Sequence, residues 1–297
     1  MTDTSASETL LSAWTAARNR LKAVGVDSPV IDARLLLEAA TGAGHADIVS
    51  DPYRPLTGEQ SATLADYVAR RERREPVARI LGRKGFWKIM LAVSPHVLIP
   101  RPDTETVLDV VLPLFTEGQP FQMLDLGVGS GALLLAILAE RPAATGLGVD
   151  VSEDALAVAR DNAANLGLAG RAAFLRGDWT AGLPDEGFDL VVANPPYIPS
   201  EDIEALDPEV RDHEPRIALD GGPDGLDAYR QLAPEILRVL KPGAPFAVEI
   251  GYDQSRAVEE LFRAAGAAEV ATAKDLARRD RVVLGRKKSL GKPDASR

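Results

Sequence analysis

The chain has no cysteine, so a disulfide, a thiolate metal site and a cysteine nucleophile are all excluded. Histidine is almost as scarce. His45, His96 and His213 stand far apart in sequence, which gives a metal centre or a serine triad little to build on, and no metal is expected. No apolar run approaches the ~18 residues of a membrane span. The N-terminus, Met1-Thr2-Asp3-Thr4-Ser5, lacks the basic-then-apolar order of a secretory leader, so the expected location is the cytoplasm, away from membranes. An excess of positive charge is also absent. The formal net charge is −10 and uneven: residues 1–100 carry 13 Lys and Arg against 11 Asp and Glu, while residues 101–297 carry 21 against 33. A back half this acidic is a poor general binder of nucleic acid, and no direct contact with it is expected.

What is present is a globular composition, 45% hydrophobic and 26% charged, in 297 residues, which is enough for two domains. Apolar residues at three- and four-residue spacing predict helices over Thr9–Val24, Pro29–Thr41 and Thr57–Arg74. Leu10, Trp14, Leu21 and Val24 form the first stripe, and Ile31, Leu35 and Leu36 the second. Gly25, Gly42-Ala43-Gly44 and the stretch from Pro52 to Pro55 separate these helices, which together make an N-terminal helical domain over residues 1–76. The run Arg70-Arg71-Glu72-Arg73-Arg74 reads either as a solvated helix end or as a contact for an acidic partner. Two β-like runs, Ala78–Leu81 and Phe86–Val93, flank Gly82-Arg83-Lys84-Gly85 and predict a β-hairpin linker over residues 77–100.

Residues 101–286 alternate strand and helix, the pattern of an α/β domain with a mostly parallel sheet. Strands are predicted at Phe121–Leu126, Thr145–Val151, Ala172–Arg176, Phe188–Ala193, Pro245–Ile250, Glu269–Ala273 and Arg281–Leu284. Helices are predicted at Ala132–Glu140, Glu153–Leu166, Leu226–Leu240 and Ser255–Ala265. No helix separates the last two strands, so the final strand is expected to run antiparallel. The tail, residues 287–297, is expected to be disordered.

Met123-Leu124-Asp125-Leu126-Gly127-Val128-Gly129-Ser130-Gly131 is an apolar strand that runs into glycines and then into an apolar helix. Glycine allows the tight turn and close backbone approach of a ligand, and a helix start offers unpaired N–H groups. Asp150, at the end of the next strand, stands where a ribose-binding acid belongs, so the run also meets the permissive dinucleotide fingerprint. Two more acids favour S-adenosylmethionine. Asp125 beside the glycines would repel a pyrophosphate but attract an ammonium group, and Asp178-Trp179 offers an acceptor and an aromatic face for adenine.

Asn194-Pro195-Pro196-Tyr197 follows the apolar strand Phe188–Ala193, outside the carboxyl end where open α/β sheets bind ligands. Its prolines stiffen the loop and remove N–H donors, which leaves carbonyls free to accept. An amide or exocyclic amine nitrogen that attacks a methyl group is a weak nucleophile and needs orientation. The Asn194 side-chain oxygen and the Pro195 carbonyl can each accept one of its hydrogens, with Tyr197 against the planar amide, so Asn194 is the candidate catalytic residue and catalysis is mainly positioning.

With these motifs the sequence resembles the protein-(glutamine-N5) methyltransferases that modify bacterial class 1 peptide chain release factors. Gly85-Phe86-Trp87, Val97-Leu98-Ile99-Pro100-Arg101-Pro102-Asp103-Thr104-Glu105, His213-Glu214-Pro215-Arg216 and Leu219-Asp220-Gly221-Gly222 extend the likeness across nearly the whole catalytic part. The resemblance implies a class I S-adenosylmethionine-dependent methyltransferase fold, Rossmann-like, preceded by a helical domain that helps grip the release factor. The target it implies is the glutamine of the Gly-Gly-Gln loop. Carried over by position, Gly127, Val128, Gly129, Ser130, Gly131, Asp150, Trp179 and Asn194 would contact the cofactor, and Asn194, Pro195, Pro196 and Tyr197 the substrate. Val128 departs from the threonine more usual in the turn, with a modest expected effect on affinity. Leu98–Glu105 reads either as a plain crossover or as a lid over the cofactor edge.

Four other readings share parts of the pattern. A ribosomal-protein glutamine methyltransferase has the same fold and reaction, and nucleic-acid amino methyltransferases use the same proline-rich motif but fit the acidic catalytic half poorly. A dinucleotide-dependent dehydrogenase accounts for the glycines and Asp150 but gives Asn194–Tyr197 no role, and a non-catalytic binding module has no need of that motif.

Overall fold

In the computed structural model, which describes residues 8–289, the first helix, Leu10–Ala23, starts at a reciprocal cap between Thr9 and Ser12. Pro29 opens the helix Pro29–Thr41, and Gly42 closes it in the left-handed conformation at φ 71°. A second reciprocal cap, Thr57 with Gln60, starts the helix Gly58–Glu72. Leu10, Leu21, Leu36, Leu37, Leu64, Val68 and Ile80 close one apolar core among these helices. The second stripe is shifted from the expected one: Ala33, Leu36 and Leu37 are buried and Ile31 is exposed, because the i, i+3, i+4 seam starts at Ala33. A short helix, His45–Ser50, was not expected; it buries no side chain and so leaves no apolar stripe to read.

This first unit extends to Gly82 and also takes in Pro208–His213. Its basic run is committed within the unit. Arg70 pairs with Glu75 at 2.6 Å, the buried Arg71 with Asp32 at 2.7 Å and Glu209 at 2.9 Å, and Arg74 with Glu209 at 2.7 Å. Three of the four arginines are therefore internal ties.

The second unit begins at Arg83. The hairpin differs in register from the expected one. Val77–Leu81 is a helical turn capped by Gly82 at φ 67°, and the strands are β1 (Arg83–Phe86) and β2 (Ile89–Ala92). Gly82 ends a helix instead of making the hairpin turn, which falls at Trp87-Lys88 with Trp87 at φ 52°.

Strands β3 (Gln122–Leu126), β4 (Thr145–Asp150), β5 (Ala172–Arg176), β6 (Leu190–Ala193), β7 (Pro245–Glu249), β8 (Ala267–Lys274) and β9 (Asp280–Lys287) form one sheet in the order β5-β4-β3-β6-β7-β9-β8. The first five are parallel, and β9 runs antiparallel to both β7 and β8, as the missing helix before it predicts. Every residue of β6 and β7 is buried, as in a sheet covered on both faces. The expected helices Ala132–Glu140 and Ser255–Ala265 stand at the predicted residues; the other two are Glu153–Asn165 and Asp227–Val239. An additional helix, Glu105–Val111, buries Val107, Leu108 and Val111; it is short and close to Pro102 and Pro113, which hid its period. Of the expected tail, residues 290–297 lie outside the described residues, while Lys287 belongs to β9.

Because β3 lies between β4 and β6, the strand order reverses there, and a crevice opens beyond the carboxyl ends of β3 and β6. Glycines in β4 let the layers above approach it. A Cβ on Gly146 would stand 2.4 Å from Leu134 Cδ1, and one on Gly148 would stand 2.7 Å from Val128 Cγ2.

Candidate active site

A cleft of ≈ 340 Å³ occupies this crevice, wholly within the second unit. The turn after β3 forms its floor. Gly127, Gly129 and Gly131 have φ of 73°, 52° and 85°, and the N–H groups of Gly127 and Val128 both donate to the Val149 carbonyl, at 2.9 and 3.0 Å. Asp150 closes the turn from the other side, accepting from the Gly129 N–H through Oδ2 at 2.9 Å and from the Ser152 N–H through Oδ1 at 3.0 Å. Asn162, buried in Glu153–Asn165, donates through Nδ2 to the Ser130 carbonyl and to Ala92 of the hairpin, at 2.9 and 3.0 Å.

Of the residues expected to contact the cofactor, Gly127, Val128, Gly129, Ser130, Asp150, Trp179 and Asn194 line the cleft, together with Asp125 and Asp178. Gly131 does not. It caps the helix at φ 85°, and a Cβ there would stand 2.8 Å from Leu135 Cδ1, so both conformation and packing call for glycine at this position. Trp179 stands at φ 48°, with its ring 3.6 Å from where a Cβ on Gly127 would be. Asp125 is buried and accepts from the Leu134 N–H at 3.1 Å. Burial pushes its carboxyl up to about 7; the Leu134 hydrogen bond opposes this and the charge of Asp150 adds to it.

Among the residues expected to meet the substrate, Asn194 and Pro196 line the cleft, whereas Pro195 and Tyr197 do not. Pro195 is buried, and no backbone N–H among the described residues donates to its carbonyl. Tyr197 turns its hydroxyl inward, 3.5 Å from Glu249 Oε1, and burial raises its pKa, with the charge of Glu249 adding to the effect. The glycines after this loop are there for space. A Cβ on Gly221 would stand 2.8 Å from Tyr197 Cα, and one on Gly225 would stand 2.4 Å from the Tyr197 carbonyl oxygen. Gln254 donates to that carbonyl at 2.9 Å.

His96, Val97, Leu98, Pro100, Arg101 and Thr104 form another wall, so the segment before Glu105 borders the cleft. Glu214 holds it there by accepting from the Ile99 N–H at 3.2 Å and from Arg101 at 3.0 Å. Two polar residues stand beside Asn194: Thr104, which the sequence offered only as part of Leu98–Glu105 and whose Oγ1 accepts from Asn194 Nδ2 at 3.3 Å, and Glu249, not singled out in the sequence, which follows the Ala193–Val248 pair of β6 and β7. The available signal for Glu249 was an acid ending the otherwise apolar run Pro245-Phe246-Ala247-Val248. No group of three or more His, Asp or Glu among the described residues could hold a metal ion.

The fold and this cleft are those of a class I methyltransferase, and a methyltransferase domain model matches residues 119–283. A PrmC N-terminal domain model matches residues 12–82. A release factor glutamine methyltransferase of Caulobacter vibrioides is 68% identical over 285 residues, 96% of this chain and 99% of that protein. Those of Rhodospirillum rubrum and Agrobacterium fabrum are 47% and 43% identical, each over 92% of this chain and over 83% and 95% of their own lengths. The chain belongs to the release factor glutamine methyltransferase family.

Proposed function

We propose that this chain transfers the methyl group of S-adenosylmethionine to the side-chain amide nitrogen, N5, of the glutamine in the Gly-Gly-Gln loop of class 1 peptide chain release factors. The observation that carries this reading is one cleft lined both by the glycine turn and by Asn194 and Pro196. Relatives named for the same activity over nearly the full length support the substrate. The cytoplasm is the proposed location, and no helix among the described residues is long and apolar enough to cross a membrane.

The residues fit the cofactor. Glycines of positive φ leave the turn open to close approach, and Asp125, Asp150, Asp178 and Trp179 line the same cleft, where Asp125 would hold the ammonium group, Asp150 the ribose hydroxyls and Asp178 with Trp179 the adenine. When bound, S-adenosylmethionine supplies an electrophilic methyl carbon on a cationic sulfur. Asn194 Oδ1 at the cleft and the carbonyl of the buried Pro195 behind it, reached once the glutamine enters the loop, would accept the two amide hydrogens and so orient the nitrogen lone pair toward the methyl group. The nitrogen would take the methyl group as the sulfur leaves with the S–C bonding pair, and would then lose one proton to water. Orientation of this kind contributes several kcal/mol (roughly 7 at the low end of measured intramolecular cases) without a strong base.

The test is to incubate the purified protein with labelled S-adenosylmethionine and, in separate reactions, a release factor, ribosomal proteins and nucleic acid, then map the label by mass spectrometry. Label on the Gly-Gly-Gln glutamine is expected. Label confined to a ribosomal protein or to nucleic acid overturns the substrate. Asn194→Ala should bind cofactor within a few-fold of wild type and lose roughly a hundredfold or more in kcat.

A further inference from the structure

Gln254 stands at the start of the helix Ser255–Ala265, 9% exposed and outside the lining of the cleft. Its side chain joins three separate stretches of the second unit. Nε2 donates to the Tyr197 carbonyl at 2.9 Å and to the Gly225 carbonyl at 3.2 Å, and Oε1 accepts from the Gly251 N–H at 2.9 Å. No backbone N–H among the described residues donates to the Tyr197 carbonyl, so this side chain is what satisfies it. Two of its partners leave room for it by being glycine. A Cβ on Gly225 would stand 2.7 Å from Nε2, and one on Gly251 would stand 2.9 Å from Oε1.

Two carbonyls that can only accept and one N–H that can only donate converge here. Among side chains only a primary amide offers two donors and an acceptor on one planar head, and its three partners fix which way that head faces. The carbonyl it holds belongs to the last residue of the reaction loop. Pro195 and Pro196, whose rings fix φ, are all that separate Tyr197 from Asn194, so a shift at Tyr197 reaches Asn194 with little slack. The glycine turn is held by contacts of its own, to Val149 and Asp150.

We propose that Gln254 is a positioning residue: by holding the Tyr197 carbonyl it sets where Asn194 and the Pro195 carbonyl meet the substrate amide. This role rests on the function proposed above. Gln254→Glu keeps the shape and the acceptor for Gly251, but as a carboxylate it sets oxygen against both carbonyls. Once protonated, the introduced carboxyl offers one O–H donor and restores one of the two contacts; burial and the facing carbonyls favour that neutral form. Gln254→Met fills similar space and has no donor at any pH. The titratable groups around this point are Asp253 before it, Asp280 on the Ser255 hydroxyl, Asp224 and Asp227 beside Gly225, and Glu249 and Arg281 at the adjoining ends of β7 and β9. Both variants share them, so the ratio of the two kcat values at each pH cancels their titration.

The experiment measures kcat and KM for release-factor methylation, together with S-adenosylhomocysteine affinity, in wild type, Gln254→Glu and Gln254→Met from about pH 6 to about pH 9. Near pH 9, roughly where the introduced carboxyl is charged, both variants should lose about tenfold or more in kcat, with KM and S-adenosylhomocysteine affinity within about threefold of wild type. Toward pH 6 the kcat of Gln254→Glu should rise at least about fivefold relative to that of Gln254→Met. A smaller loss in either variant, or a ratio that stays flat with pH, assigns the side chain to packing alone and overturns the proposal. If Gln254→Glu does not bind S-adenosylhomocysteine, Gln254→Met decides by the same kcat threshold. Failure of both to bind it makes Gln254 a residue of the fold and overturns the proposal too. An inactive wild type defeats the functional reading itself, and the positioning role with it.

Discussion

Asp150 Oδ2 takes the backbone N–H of Gly129 at 2.9 Å, while Oδ1 takes that of Ser152 at 3.0 Å, so one carboxylate ties the glycine turn to the end of β4. Asp150→Ala removes both acceptors and the acid offered to the ribose. Its affinity for S-adenosylhomocysteine, measured by calorimetry, should fall at least about fivefold, in line with ~1–3 kcal/mol for a lost charged acceptor. Asp150→Asn should not restore it, because its NH2 group would face one of the two N–H donors.

Val128 is buried, its Cγ2 against Gly148 of β4, and its N–H is committed to the Val149 carbonyl. Its contribution to the turn is therefore backbone shape and apolar packing. Val128→Thr should change cofactor affinity by less than about tenfold, since the isosteric hydroxyl alters one polar contact at most. A dissociation constant hundreds of times lower would show that the side chain is itself a ligand.

Asp125 is destabilising when charged. Burial lifts its pKa from 3.8 to about 7, so its contribution to stability is complete below 3.8 and is lost as pH rises through about 7. Asp125→Asn keeps an acceptor for Leu134 and cannot ionise. The variant without cofactor should melt several degrees above wild type at about pH 8, and the difference should shrink toward pH 5, as differential scanning fluorimetry would record. Its affinity for S-adenosylmethionine should fall most above pH 7, where the wild-type carboxylate is charged and can hold an ammonium group.

Gly225 stands at φ 74° with the Tyr197 carbonyl in the space a Cβ would need, whereas Gly167 at φ 70° has nothing within 4 Å. Gly167→Ala therefore reports the cost of the backbone conformation alone, about 1 kcal/mol. Gly225→Ala adds a backbone clash under the reaction loop. It should lower the melting temperature clearly more than Gly167→Ala and reduce kcat as well, because Tyr197 must shift.

The parts of the molecule legible in the sequence are those that local pattern determines. Ala132–Glu140 follows a glycine turn, Ser255–Ala265 ends at Gly266 in the left-handed conformation, and the parallel strands are apolar runs with no competing period. The reaction loop and Asp150 could be assigned to the cleft because each follows a strand end, where the fold itself places ligands. Glu105–Val111 was hidden by its length, and the hairpin by a Gly82 that serves a helix. Within Leu98–Glu105, Thr104 left no local mark of its contact with Asn194. Thr104 meets Asn194 across 90 residues of chain, and only the folded sheet reveals that contact.

β8 reaches the sheet only through β9, which is itself paired to β7 on its other side. A late-sequence strand is thus an interior one, and its removal would bare two hydrogen-bonding edges at once. Of these, β7 is buried along its whole length, with nothing charged before Glu249 to discourage a foreign strand. Damage to Asp280–Lys287 should therefore replace the edge of β8 with the buried edge of β7, a template for edge-to-edge aggregation.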